Sequence, residues 1–154
     1  MNLRNQDLRR ALLAGIFSTL ILTAMMYTAP LAGLPGFDMA SAIGGFLDRP
    51  AESFSLRWWL GLGVFFFVGI VVYPIGYLYA EPMLIGNSLE RGLEWGLLLW
   101  AAGGVCVMYF LGFAFHPPFT THPFIATETT FAANLVYGVS LGIVMGHRAE
   151  PAIA

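Results

Sequence analysis

Apolar residues fall in four long runs separated by short polar breaks. The runs are ALLAGIFSTLILTAMMYTA at 11–29, WWLGLGVFFFVGIVVYPIGYLYA at 58–80, LEWGLLLWAAGGVCVMYFLGFAF at 93–115 and TFAANLVYGVSLGIVMG at 130–146. About 20 consecutive apolar residues are enough for a helix to cross the hydrocarbon core of a bilayer. A membrane barrel would instead alternate apolar and polar positions over segments of about ten residues, and these runs do not alternate. The pattern therefore predicts an all-α integral membrane fold. It is a four-transmembrane-helix bundle in a single membrane domain spanning 1–154. The fourth run is short, so its helix is expected to sit with little tilt.

The breaks carry their own signals. FDMASAIGGFLD, at 37–48, places Phe37, Ala40, Ile43 or Gly44, and Leu47 on one helical stripe. Asp38, Ser41 and Asp48 fall opposite, which predicts a short amphipathic helix lying in the outer interface. Pro35-Gly36 turns the chain before it and Pro50 stops it. Trp58 and Trp59 mark the headgroup level where the second span begins. Asn87 and Glu90 have capping-box spacing and start the third helix. Thr127 is placed to cap the fourth.

Composition agrees with lipid as the main solvent. The chain is 58% hydrophobic and 10% charged, against about 25% charged residues in a soluble domain. All seven basic residues are arginine. Five of them (Arg4, Arg9, Arg10, Arg91 and Arg148) fall on one side of the predicted spans, and Arg49 and Arg57 on the other. The positive-inside rule then puts both termini in the cytoplasm, and the expected location is the cell inner membrane, multi-pass. Arg9-Arg10 before an apolar run resembles a signal sequence, but the run is nearly 20 residues long, lacks a convincing A-x-A site, and Ala29 is followed by Pro30, so an uncleaved anchor is expected. The net charge of −2 gives no reason to expect nucleic acid as a partner. The lone Cys106 sits in an apolar run and reads as a packing residue.

Between helices in lipid, small residues set how closely the backbones approach. Gly138, Gly142 and Gly146 recur every four residues in the fourth run. Gly92, Gly96 and Gly104 do similar work in the third, and Gly15, Thr19, Thr23 and Tyr27 share a stripe in the first. These stripes suit packing within the bundle or docking to another membrane subunit. Pro74 interrupts the second run and predicts a kink. Tyr73, Tyr77 and Tyr79 around it suit anchoring at the inner interface. Asn134 is the best buried polar candidate and is expected to hydrogen-bond between helices. Glu94 is expected to pair with Arg91 or face water.

Candidate chemistry is sparse. The predicted spans hold no lysine, arginine, aspartate or histidine at mid-depth, where ion-coupled carriers keep an ionisable group. His116 and His122, in HPPFTTHPF, are the histidine pair able to share a ligand, since His147 lies at the opposite face about 25–30 Å away. Two histidines make a poor zinc or copper site without a third ligand. A stiff structural loop competes with a metal site there. No nucleotide loop, HExxH, GxSxG or CxxCH motif occurs, so independent catalysis is not expected.

Two stretches carry a wider likeness. GIFSTLILTAMMYTAPLAGLPGFD at 15–38 and NLVYGVSLGIVMG at 134–146 resemble an uncharacterised family of small bacterial four-helix integral membrane proteins. Its members often carry a histidine near the start of the last helix, where this chain has Asn134. The resemblance implies no activity. The expected role is an accessory, structural subunit of a larger membrane complex, most readily a respiratory or photosynthetic electron-transfer assembly. The chain would have no cofactor of its own, lipids around it, and partner subunits carrying haem or copper. The alternative is a homo-oligomeric small-solute transporter or channel gated by Pro74, Asn134 and the glycine groove.

Overall fold

The computed structural model describes residues 5–33, 38–45, 51–107 and 123–146. Among these residues every regular element is helical. Helix α1 spans Asn5–Thr28 and tightens into a 3-10 turn over Ala29–Ala32. The short α2 covers Met39–Gly44. Helix α3 (Leu56–Phe67) passes through a π segment, Val68–Val72, into α4 (Tyr73–Ala80). Helix α5 (Ser88–Leu99) widens into a second π segment, Trp100–Val107. Helix α6 runs over Pro123–Met145.

Two continuous helical stretches, Asn5–Ala32 and Leu56–Met83, are long and apolar enough to cross a membrane, and Thr130–Met145 is a shorter apolar helix. The helices overrun the apolar runs at their polar ends. Helix α1 is already formed at Asn5, six residues ahead of the apolar run, and Gln6, Leu8, Arg9 and Arg10 in that stretch favour helix. Helix α6 is already formed at Pro123, seven residues ahead of the apolar run. Thr127 therefore lies inside α6 and does not cap it. Helix α5 does start where expected. The Asn87 side chain accepts from the Glu90 amide at 3.1 Å, and the Glu90 carboxylate accepts from the Asn87 amide at 2.7 Å.

Helix α6 packs against α1 on one side and α5 on the other, while α1 also contacts the π segment Val68–Val72 and α4. Tyr77 of α4 meets Trp95 of α5 edge to face, with ring centroids 5.9 Å apart. The elements thus enclose one core. Helix α1 contributes Ala11, Ala14, Gly15, Ser18, Thr19, Leu22 and Met26, spaced three and four apart on one buried face. The centre is filled by Tyr77, Leu78, Tyr137 and Leu141. The outer faces carry Leu13, Phe17, Leu20, Leu60, Val64, Phe67, Leu97 and Ile143, all exposed. Apolar residues outside as well as inside are what a lipid-facing bundle requires.

Helix α2 does not lie apart with its polar face outward. Asp38 caps it by accepting from the Ser41 amide at 3.0 Å, and its other oxygen accepts from the Trp58 indole at 2.8 Å. Ser41 donates from its hydroxyl to the Ala51 carbonyl at 2.6 Å. The two polar groups expected to face water instead fasten α2 to α3 and to the segment before it. The backbones meet at glycines. A Cβ on Gly61 would stand 2.6 Å from the Gly44 amide nitrogen, so only glycine fits.

Candidate functional site

Two polar features interrupt the apolar core. The first centres on the π segment. Pro74 has no N–H, so the helix cannot close its usual bond to the carbonyl four residues earlier. The Tyr73 N–H bonds to the Val68 carbonyl, five residues back, and passes over Gly69. Pro74, lacking an N–H, cannot serve the Gly69 carbonyl in the same five-residue pattern. The Tyr137 hydroxyl, from α6, donates to that carbonyl at 2.5 Å. A backbone group released by proline is thereby served across the bundle. Tyr73 flanks the bond, its ring edge-on to Tyr137 at 5.6 Å. On the other side Thr19 Oγ1 occupies the space a Gly69 side chain would need, 2.5 Å from that Cβ position.

The second feature is a seam between α4 and α5. Tyr77 and Glu81 are one helical turn apart on one side, and Arg91 and Trp95 are one turn apart on the other. Glu81, 3% exposed, faces Arg91 with Oε1 3.9 Å from Nη1. Tyr77, 1% exposed, faces Trp95. The benzo edge of Trp95 lies on Gly76, where a Cβ would come within 3.1 Å of it. The Tyr77 hydroxyl, Arg91 Nε and Trp95 Nε1 are buried here without a hydrogen bond among the described residues, beside the Glu81 carboxylate.

The residues singled out by sequence distribute unevenly over these features. Pro74 is buried beside the first, and it produces a wide turn ahead of it. Gly138 and Gly142 lie against α5, where a Cβ on Gly92 would be 2.6 Å from the Gly138 carbonyl. A Cβ on Gly142 would be 2.7 Å from the Gly92 Cα. Gly146 is not part of that groove: it ends α6 with φ 62, a left-handed conformation that favours glycine. Asn134 does not bond between helices. Its side-chain amide donates to the Thr130 carbonyl one turn earlier, at 2.8 Å, an intrahelical back-bond that satisfies the group locally.

Glu94, half-exposed, does not pair with Arg91. It accepts from the Ile85 amide at 2.9 Å and tethers the α4–α5 turn, while Arg91 faces Glu81. Tyr73 and Tyr77 point into the core, and only Tyr79 is exposed. His116, His122 and His147 lie outside the described residues. Among the described residues no group of three histidine, cysteine, aspartate or glutamate side chains could hold a metal ion.

The seam and the Tyr137 bond were both missed from sequence. The available signal was the four-residue spacing of Tyr77 with Glu81 and of Arg91 with Trp95, across a tight turn. No curated protein and no solved structure matches the chain. One family model does, over residues 5–152: this chain belongs to the family of unknown function DUF6789.

Proposed function

We propose that the chain is a multi-pass protein of a bacterial inner membrane, with four spans and both termini in the cytoplasm. In this reading it serves as a structural, accessory subunit of a larger membrane complex. An electron-transfer assembly, with haem or copper held by its partner subunits, is the kind of complex it fits best. The observation that carries the reading is the tight packing of the described helices. Tyr77, Leu78, Tyr137 and Leu141 close the centre, and the α5–α6 seam brings backbone against backbone at Gly92, Gly96, Gly138 and Gly142. A solid bundle with an apolar exterior suits a scaffold that other helices and lipid pack against.

The orientation rests on arginine placement. Arg10 comes close to Gly146, with Nη2 3.1 Å from the Cβ position there, so the start of α1 and the end of α6 share one end of the bundle. Arg9, Arg10 and Arg91 belong to that end, which supports its cytoplasmic assignment.

Affinity capture of the tagged chain from membranes in a mild detergent tests the role. Stoichiometric co-purification of other membrane subunits is expected. The runner-up is a homo-oligomeric transporter or channel with its path between copies. Sustained solute flux in liposomes holding the purified chain alone would favour it.

A further inference from the structure

The Gly69 carbonyl sits where three helices meet, and a second hydroxyl stands beside it. Tyr137 of α6 donates to it. On the α1 side Gly15 backs onto it: a Cβ there would lie 3.0 Å from the Gly69 oxygen and 2.8 Å from the Ile70 oxygen. Thr19 follows one turn later on the same face of α1. Its Oγ1 is 2.5 Å from the Cβ position of Gly69.

Thr19 differs from other hydroxyl residues in these helices. Thr23, Thr28 and Ser140 each donate to the carbonyl four residues back, at 2.7 Å, the usual local outlet for such groups. The Thr19 hydroxyl is fully buried and makes no hydrogen bond among the described residues. Native proteins keep such groups few. Ser18 shares that state, but one residue turns it about 100° around α1, and the side-chain atoms nearest the Gly69 Cβ position all belong to Thr19. The backbone at this point is also the part of α3–α4 best able to bend. It combines a π segment with a proline just beyond it, and both features mark helix hinges.

We propose that the Val68–Val72 π segment is a hinge with a two-position latch. In the position seen here Tyr137 holds the Gly69 carbonyl. When the α3–α4 stretch pivots toward α1, the carbonyl passes to the Thr19 hydroxyl. The backbone group that proline releases is then served at both ends of the movement, and no carbonyl is stranded in the apolar core. Thr19 reaches it only after the pivot, so Tyr137 is the preferred donor.

The test reads the Gly69 carbonyl directly, by NMR of the full chain in detergent micelles. Labelling glycine carbonyls with 13C and isoleucine nitrogens with 15N selects the pairs Gly15–Ile16, Gly69–Ile70 and Gly142–Ile143. Ile70→Val deletes the Gly69 signal and so identifies it. A carbonyl 13C resonance moves downfield when the oxygen accepts a hydrogen bond. In Tyr137→Phe the Gly69 signal is expected to stay at its bonded position, because Thr19 takes the carbonyl over. Adding Thr19→Val, which keeps the side-chain shape and removes the hydroxyl, should move the signal upfield. Adding Thr19→Ser instead, which keeps the hydroxyl, should leave it in place. Thr19→Val alone should not move it, since Tyr137 still donates. An unmoved Gly142–Ile143 signal shows that each variant keeps its fold. An upfield shift in Tyr137→Phe alone overturns the proposal, and so does a bonded signal that persists when Tyr137→Phe and Thr19→Val are combined.

Discussion

Tyr137 holds its place by a hydrogen bond that begins with a residue sixty-odd positions away in the chain. Pro74 removes a donor, the turn before it widens, and Gly69 is left to find a partner elsewhere. Replacing Tyr137 with Phe keeps the ring contact with Tyr73 and removes only the hydroxyl. A loss of about 1 kcal/mol is expected, since buried hydrogen bonds in membrane bundles are worth that order. Unfolding in mixed micelles of Tyr137→Phe against the parent chain checks it, and an unchanged midpoint would mean the bond contributes nothing. Asp38 invites a similar experiment. It accepts from both the Ser41 amide and the Trp58 indole, so Asp38→Ala removes an N-cap and leaves a buried indole donor. The expected loss is about 1–3 kcal/mol, read as faster proteolysis in the α2–α3 region.

This scale was the least legible in the sequence. Asn87 and Glu90 announced their capping box because both partners lie within one turn. Asp38 with Trp58, and Tyr137 with Gly69, are joined only by the tertiary fold. Asn134 shows the reverse: a polar residue in an apolar run invited a long-range partner, and it took its own helix's carbonyl instead.

Among the elements, α5 and α6 form the closest pair. Gly92, Gly96, Gly138 and Gly142 let the two backbones meet. Gly96→Leu would force a side chain into the Asn134 carbonyl, 2.6 Å from the Cβ position. Backbone cannot yield as a flexible side chain does, so a cost above about 3 kcal/mol is expected. Gly63→Leu is the control, since nothing lies within 4 Å of a Cβ there, and it should leave the midpoint unmoved. Thermal unfolding of the two variants compares them directly. The four-residue glycine repeat was readable in the sequence as a smooth face, and Gly138 and Gly142 lie on it. Periodicity alone could not tell where that face stops. Gly146 continues the spacing, but its positive φ makes it the end of α6. Nor could it locate the Val68–Val72 π segment, which follows from the missing N–H of Pro74.

At the scale of the molecule, the apolar runs announced helices, and helices are what the described residues form. Their number across a bilayer and their direction remain part of the proposal, and both are open to experiment. Single cysteines introduced at Asn5 and at Glu52, in a Cys106→Ala background, should react oppositely with a membrane-impermeant maleimide in intact cells. Glu52 should label and Asn5 should not. Labelling of both or of Asn5 alone would reverse or dissolve the assigned topology. His116 and His122, in HPPFTTHPF, lie outside the described residues.

The accessory-subunit reading turns on what this bundle is bound to. Native mass spectrometry of the tagged chain, extracted in mild detergent and released from the micelle in the instrument, measures that directly. The account predicts a heteromeric assembly in which the chain is present in fixed stoichiometry with other membrane subunits. A monomer or a homo-oligomer of this chain alone, across several gentle detergents, would contradict it.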